Sequence, residues 1–442
     1  MRPSQTPECP TLGTTLVGAA CLSVQPLILN ALSVPALGYI IRRLGPDGYG
    51  QWMVATSLLT VCAAVTSLGL RGAFVRTVAA DPGSAPMALA EQMGLRVLLA
   101  VLAGAAVIAG CMLLRYPTIV LSCTAVGAAG LVLTTIATTL SDVLQAVHRL
   151  KTIATVNLVA GIVLTGSSVI CAFLGAGPVA IAVVYLTGPA LSVALLLAVV
   201  GRLCCRVSVR LDVRRCVALL AGSRFFAAQQ LLTACGTQAE ALMLPRLVGL
   251  HQFGFFTAGT LLTTRLAVLP DGMCTAAYPA MVRAFARDRD RGGRLVLWYT
   301  AIAACGGVAV ALIVSWAADL IGKMLFPGSG AVLSQVARMT VWSLPLVAID
   351  AVLGYALNAA GKDAAQARVS LPAAALSLLC SVLLVTRFGV AGACWSMLAR
   401  PAVRVAFMTP LAVRTVWPRN VEAPPTPEIL IARRASLLRK AG

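Results

Sequence analysis

Five arginines stand deep inside apolar runs of this chain: Arg96, Arg265, Arg338, Arg400 and Arg404. A cation at the centre of a membrane-spanning helix costs about 2.5–3.5 kcal/mol on insertion scales, so each must pair, reach an interface or face a wet interior. Arg265 has about 12 apolar-run residues on either side, roughly 18 Å of helix, which puts an interface beyond easy reach. Arg400 and Arg404 are spaced i, i+4 around Pro401 and share one helix face. The acids at similar depth are fewer: Glu240, Asp271 and Asp350, with Glu91 and Asp142 nearer the run ends. The interior therefore stays net positive after pairing, which suits an anionic ligand, because guanidinium forks bind phosphate and carboxylate. Glu240, Asp271 and Asp350 have two readings, as counter-ions for the arginines or as sites that couple transport to an H+ or Na+ gradient. Gln229, Gln230, Thr237 and Gln238 share a run with Glu240 and give it a polar face.

No group of residues points to catalysis. There is no glycine-rich loop followed by Lys-Ser or Lys-Thr to cradle a nucleotide, and no His/Asp/Glu constellation for hydrolysis. With only His148 and His251, and no C-x-x-C pair among 14 cysteines, a metal site is not expected. Most cysteines lie within apolar runs, where they act as small packing residues rather than disulfide partners.

The elements that must position these groups are membrane helices. Of the 442 residues, 59% are hydrophobic and 11% charged, against about 25% charged in soluble domains. Continuous apolar runs, each long enough to cross about 30 Å of hydrocarbon, recur along the whole chain. They predict spans near residues 12–41, 50–73, 87–114, 118–140, 152–174, 179–200, 218–244, 253–278, 295–320, 332–357, 364–385 and 390–413. The first is too long for a signal-peptide core and has no clean cleavage site after it, so it reads as a span. The expectation is an all-α polytopic membrane protein with about 12 transmembrane helices. Tyr49, Trp52, Trp298, Trp316 and Trp417 lie near span ends and read as interfacial anchors.

Loop charge gives the orientation. With the N-terminus in the cytoplasm, 24 of the 35 basic residues fall on inner segments and six on outer loops. Most of the net charge of +20 is thus an orientation signal, and nucleic acid is not needed as a partner. Both termini come out cytoplasmic. The tail opens with Pro424, Pro425 and Pro427, and its basic segment 429–440 suits anionic lipid.

The chain also repeats. Residues 43–50, Arg-Leu-Gly-Pro-Asp-Gly-Tyr-Gly, are echoed by 246–254, which open on Arg-Leu and close on Phe-Gly. The division is a six-helix bundle over 1–201, a basic cytoplasmic linker over 202–216, a second six-helix bundle over 217–417, and a basic tail over 418–442. An even number of spans per half makes the repeat parallel, related by a pseudo-two-fold axis along the membrane normal around a central cavity.

The stretch from Ile40 to Ala79, with its L-G-P-D-G-Y-G turn and the following L-G-L-R-G-A-F-V-R, closely resembles the opening of polysaccharide flippases. These belong to the multidrug/oligosaccharidyl-lipid/polysaccharide exporter superfamily. The resemblance implies a bacterial inner-membrane flippase for undecaprenyl-diphosphate-linked oligosaccharide units, working by alternating access. Its partners would be that lipid-linked substrate, membrane lipid, and a polysaccharide polymerase with other assembly proteins; no cofactor is implied. A cationic central cavity in such flippases brings forward Arg71, Arg76, Arg224 and Arg265, with Arg404 in support. The first helix here carries no arginine, only Ser23, Gln25 and Asn30, which favours an O-antigen or exopolysaccharide substrate over a peptidoglycan precursor. The alternatives are a drug/cation antiporter of the same superfamily, disfavoured because the first half has no mid-span acid, and a non-transporting membrane scaffold.

Overall fold

A computed structural model of the chain describes residues 12–68, 85–146, 149–203, 227–325 and 330–416. Helices fill nearly all of it. They are α1 (Leu12–Ser67), α2 (Ala85–Leu113), α3 (Thr118–Ala146), α4 (Leu150–Phe173), α5 (Pro178–Val184) and α6 (Thr187–Leu203) in the first half. The second half has α7 (227–237), α8 (Ala239–Leu247), α9 (Leu250–Gly259), α10 (Leu261–Leu266), α11 (Val268–Arg287), α12 (Arg289–Leu325), α13 (Gly330–Thr340), α14 (Ser343–Ala359) and α15 (Asp363–Val416). Most of the linker and all of the tail lie outside the described residues, as do Arg71, Arg76, Arg224 and Trp417.

Eight stretches pass as spans on length and apolarity alone. Two of them, α1 and α15, contain one non-helical glycine each, Gly45 and Gly389, and each holds two spans. Residues on either side of Gly45, such as Ile41 and Trp52, join the same buried cluster with Ala172 and Ile181, so the chain turns back there. The bent pair starting at Leu250 and the segment 227–247 complete twelve spans.

Glycine and proline chemistry makes the turns. Gly45 has φ +70°, a region open to glycine, and Pro46 follows it at the start of the next span, where a missing N–H costs nothing. Gly249 repeats this with φ +86°. The two turns pack against each other reciprocally. A Cβ on Gly50 would meet the Leu250 carbonyl oxygen at 2.5 Å, and one on Gly254 would meet that of Pro46 at 1.9 Å. Residues 46 and 50 thus face 250 and 254 in pairs, as a two-fold relation requires. The repeat read in the sequence is therefore a contact surface, and its glycines let two backbones touch.

Neighbouring turns gather at this same end. Arg246 Nη2 donates to the Leu114 carbonyl at 2.9 Å, Gly48 packs near Pro178, and Gly389 near Val248. It is called the turn end below. The opposite end, where Leu68, Arg149, Asp288 and Gly361 lie, is the basic end. Within each half, small residues allow close helix approach: Gly104 meets Ala128, and Gly307 meets Pro345.

Tyr49 and Trp52 correct an expectation. Both are almost fully buried, in an aromatic stack with Tyr185, and are not interfacial anchors. Span-end position alone does not separate an anchor from a residue that faces the opposite half. Trp298 and Trp316 are exposed on the outer surface, as anchors require.

Candidate functional site

The structure sorts the five intramembrane arginines by their partners. Arg96, on α2, is buried and saturated. Its Nη1 lies 3.0 Å from Asp142 Oδ2, its Nε donates to the Thr66 carbonyl and its Nη2 to Thr138 Oγ1. This ties α1, α2 and α3 together beside a cavity of 750 Å³ within the first half. Arg338 corrects the sequence reading. It is half exposed, not deep, and bonds Asp319 Oδ2 at 2.6 Å. Asp319 went unremarked in the sequence because it stands near the end of its run, yet α12 continues past it and brings it beside α13.

Arg400 and Arg404 do share a face of α15, toward the interior of the second half. Arg400 Nη2 lies 3.1 Å from Glu240 Oε1, and its Nη1 donates to the Gly236 carbonyl. Ser396 also donates to Glu240. Arg404 Nε stands 3.0 Å from Asp350 Oδ2 without hydrogen-bond alignment, and Asp350 Oδ1 has no partner. Asp271 is close enough to both for its charge to be felt, but makes no ion pair among the described residues. These groups border a 570 Å³ cavity in the second half.

Arg265 is different. Among the described residues it has no carboxylate within ion-pair distance. Its Nη1 donates instead to Asn30 Oδ1 at 3.1 Å, from the first span of the other half. Asn30 lies 15 residues before Gly45, and Arg265 lies 15 residues after Leu250. At about 1.5 Å per residue, both sit roughly 22 Å from the turn end, near mid-membrane. The hydroxyls of Tyr49 and Tyr185 lie within electrostatic reach of the same guanidinium. The expectation that Glu240 or Asp271 neutralises Arg265 is thus not met, because Glu240 is engaged by Arg400. The sequence gave Asn30 no role, since a contact 235 residues away leaves no local signal.

The arrangement leaves one uncompensated cation between the halves, with amide and phenol groups around it, and two neutralised pairs inside the second half. An anion placed between the halves would find open guanidinium valences at Arg265.

The comparisons with known proteins agree with this layout. A family model described as polysaccharide biosynthesis protein matches residues 17–285. The fold is similar to an inward-facing multidrug resistance MATE transporter of the MOP superfamily, with TM-score 0.63, 15% identity, and 89% of this chain and 98% of that chain covered. It is similar to a eukaryotic MATE transporter, with TM-score 0.61, 14% identity and coverage of 91% and 94%. It also resembles a MOP superfamily transporter from Pyrococcus furiosus, described as having a binding pocket of reverse polarity, with TM-score 0.60, 15% identity and coverage of 92% and 99%. A search of curated protein sequences returned no significant match.

Proposed function

Because the chain belongs to the polysaccharide biosynthesis protein family and has the MOP-superfamily transporter fold, we propose that it flips undecaprenyl-diphosphate-linked oligosaccharide units across a bacterial inner membrane. The observation that carries this reading is Arg265, a mid-depth arginine between the halves with no carboxylate partner among the described residues. The diphosphate docks there. The polyprenyl chain stays in the bilayer, and the two halves rock so that the glycan leaves on the other side. The basic end is cytoplasmic on the positive-inside rule. The glycan is an O-antigen or exopolysaccharide unit, handed to a polymerase and its assembly partners. In this reading the chain carries no catalytic residues.

Support from Arg404 and Arg400 is indirect, since each already faces an acid. The same pairing counts against the antiporter alternative, which needs carboxylates open to a cation. Coupling to an H+ or Na+ gradient falls to Asp271, which lacks an ion pair among the described residues.

The test is complementation of a flippase-deficient strain that makes a cognate glycan, at matched membrane expression. Wild type restores surface glycan, Arg265→Ala does not, and Arg265→Lys rescues in part because it keeps charge but loses the fork. If Arg265→Ala works as well as wild type, the diphosphate site is elsewhere.

A further inference from the structure

The cavity in the second half is built for something other than a diphosphate. Two arginines and two carboxylates face it, so its formal charge cancels. Three spans also break where they meet it: at Gln238 between α7 and α8, at Thr260 between α9 and α10, and just before Ser343 between α13 and α14. Irregular backbone at membrane depth persists where it is buried or lines a wet cavity, and broken spans are where transporters build ligand sites.

The hydroxyls in the wall narrow the ligand class. Thr257, Thr260, Thr264, Ser343 and Ser377 each donate to a carbonyl of their own span, at 2.7–3.1 Å. Their hydrogens are spent, and what remains is lone pairs. Asp350 Oδ1 adds an acceptor without a partner. A wall of acceptors repels phosphate and carboxylate and matches a ligand rich in O–H and N–H donors. A metal cation would also seek acceptors, but Arg400 and Arg404 already stand against the two carboxylates and repel it. Met53, Phe256 and Met397 supply an apolar side for the C–H face of a ring. At 570 Å³ the space falls within the roughly 300–1,000 Å³ of small-ligand pockets.

We propose that this cavity is a carbohydrate subsite, which receives the lipid-proximal sugar of the substrate while Arg265 holds the diphosphate. The inference rests on the flippase reading. The two sites abut, because Thr264 lines the cavity and its neighbour Arg265 reaches Asn30.

The experiment measures binding to the full-length protein in lipid nanodiscs. The probes are bare undecaprenyl diphosphate and four forms bearing glucose, galactose, N-acetylglucosamine or N-acetylgalactosamine. Wild type binds at least one glycosylated form about tenfold more tightly than the bare lipid. The double variant Thr260→Val/Ser343→Ala, and separately the cavity-filling Ala267→Phe, abolish that preference and leave bare-lipid binding within twofold. Arg265→Ala weakens all five probes. The matching free monosaccharide binds at least tenfold more weakly than its lipid form; equal binding would mean the cavity serves free sugar and overturns the assignment. A preference that survives both cavity variants, or no preference in wild type, also overturns the subsite while the diphosphate site stands. Wild type binding none of the probes brings down the flippase reading and this inference with it.

Discussion

Replacing Gly254 by alanine should force the turn end apart. The new methyl carbon would lie 1.9 Å from the Pro46 carbonyl oxygen, 2.7 Å from its carbon and 3.0 Å from its Cα. Ordinary contact begins near 3.4 Å, so the shortfall is about 1.5 Å, and every atom in the way is backbone. No side chain can rotate to relieve it. Overpacking of this kind costs about 1–3 kcal/mol. The cost applies only while the two turns touch, so it shifts the population toward a state in which they are parted by about 5–150-fold. Gly50→Ala has a smaller shortfall, near 0.9 Å against the Leu250 carbonyl, and should shift it less. Gly249→Ala is the control. A Cβ there meets open space, but φ +86° strains it in either state, so it lowers stability without moving the equilibrium. Electron–electron resonance between labels at Leu174 and Phe388, which lie at the turn end of opposite halves, reads the separation. Noncanonical amino acids must carry the labels, because 14 native cysteines compete for thiol reagents. A longer distance in Gly254→Ala but not in Gly249→Ala is expected. Identical distance distributions in all the variants and wild type would refute the close approach.

Other outcomes follow from the same geometry. Arg96→Ala leaves Asp142 charged and buried, and should cost about 3–5 kcal/mol of stability, read as a lowered melting temperature; Arg96→Met with Asp142→Leu should recover most of it. Asn30→Asp would give Arg265 the carboxylate it lacks, so complementation should fail as it does for Arg265→Ala, whereas Asn30→Gln should retain activity. Arg338→Ala removes only a half-exposed pair with Asp319, so its effect on stability should stay below about 1 kcal/mol and surface glycan should be unchanged.

Much of this fold was legible because span period, loop charge and a repeated turn are all local. All twelve spans recur near their expected places, with Gly45, Gly249 and Gly389 at the reversals. What could not be read were the distant pairings. Nothing near Arg400 in sequence says that Glu240 meets it from 160 residues away, or that Asn30 meets Arg265. The breaks at Gln238, Thr260 and Trp342 also escaped, since apolar periodicity runs through them and the cavity that tolerates them is a tertiary feature. The cost of an intramembrane cation was the reliable signal. It showed that these arginines need partners, and only the fold shows which one is left open.

The distribution of polar contacts separates rigid from movable parts. Arg96–Asp142, Arg338–Asp319, Arg400–Glu240 and Arg404–Asp350 each join spans within one half. Between the halves, the described residues offer Arg265–Asn30 at mid-depth, and Arg246–Leu114 and His251–Asp47 at the turn end. The last two are exposed, and exposed contacts are worth about 0–1 kcal/mol each. Each half is therefore held by buried charge, while the seam is held by contacts weak enough to break in every cycle. Two classes of variant should then behave in opposite ways. Arg246→Ala with His251→Ala should lengthen the distance between Leu174 and Phe388 and barely change the melting temperature. Glu240→Gln should lower the melting temperature and leave that distance alone, because Arg400 loses its counter-ion inside one half. If Glu240→Gln moves the halves, or the Arg246/His251 double variant unfolds the protein, the division into two rigid bodies is wrong.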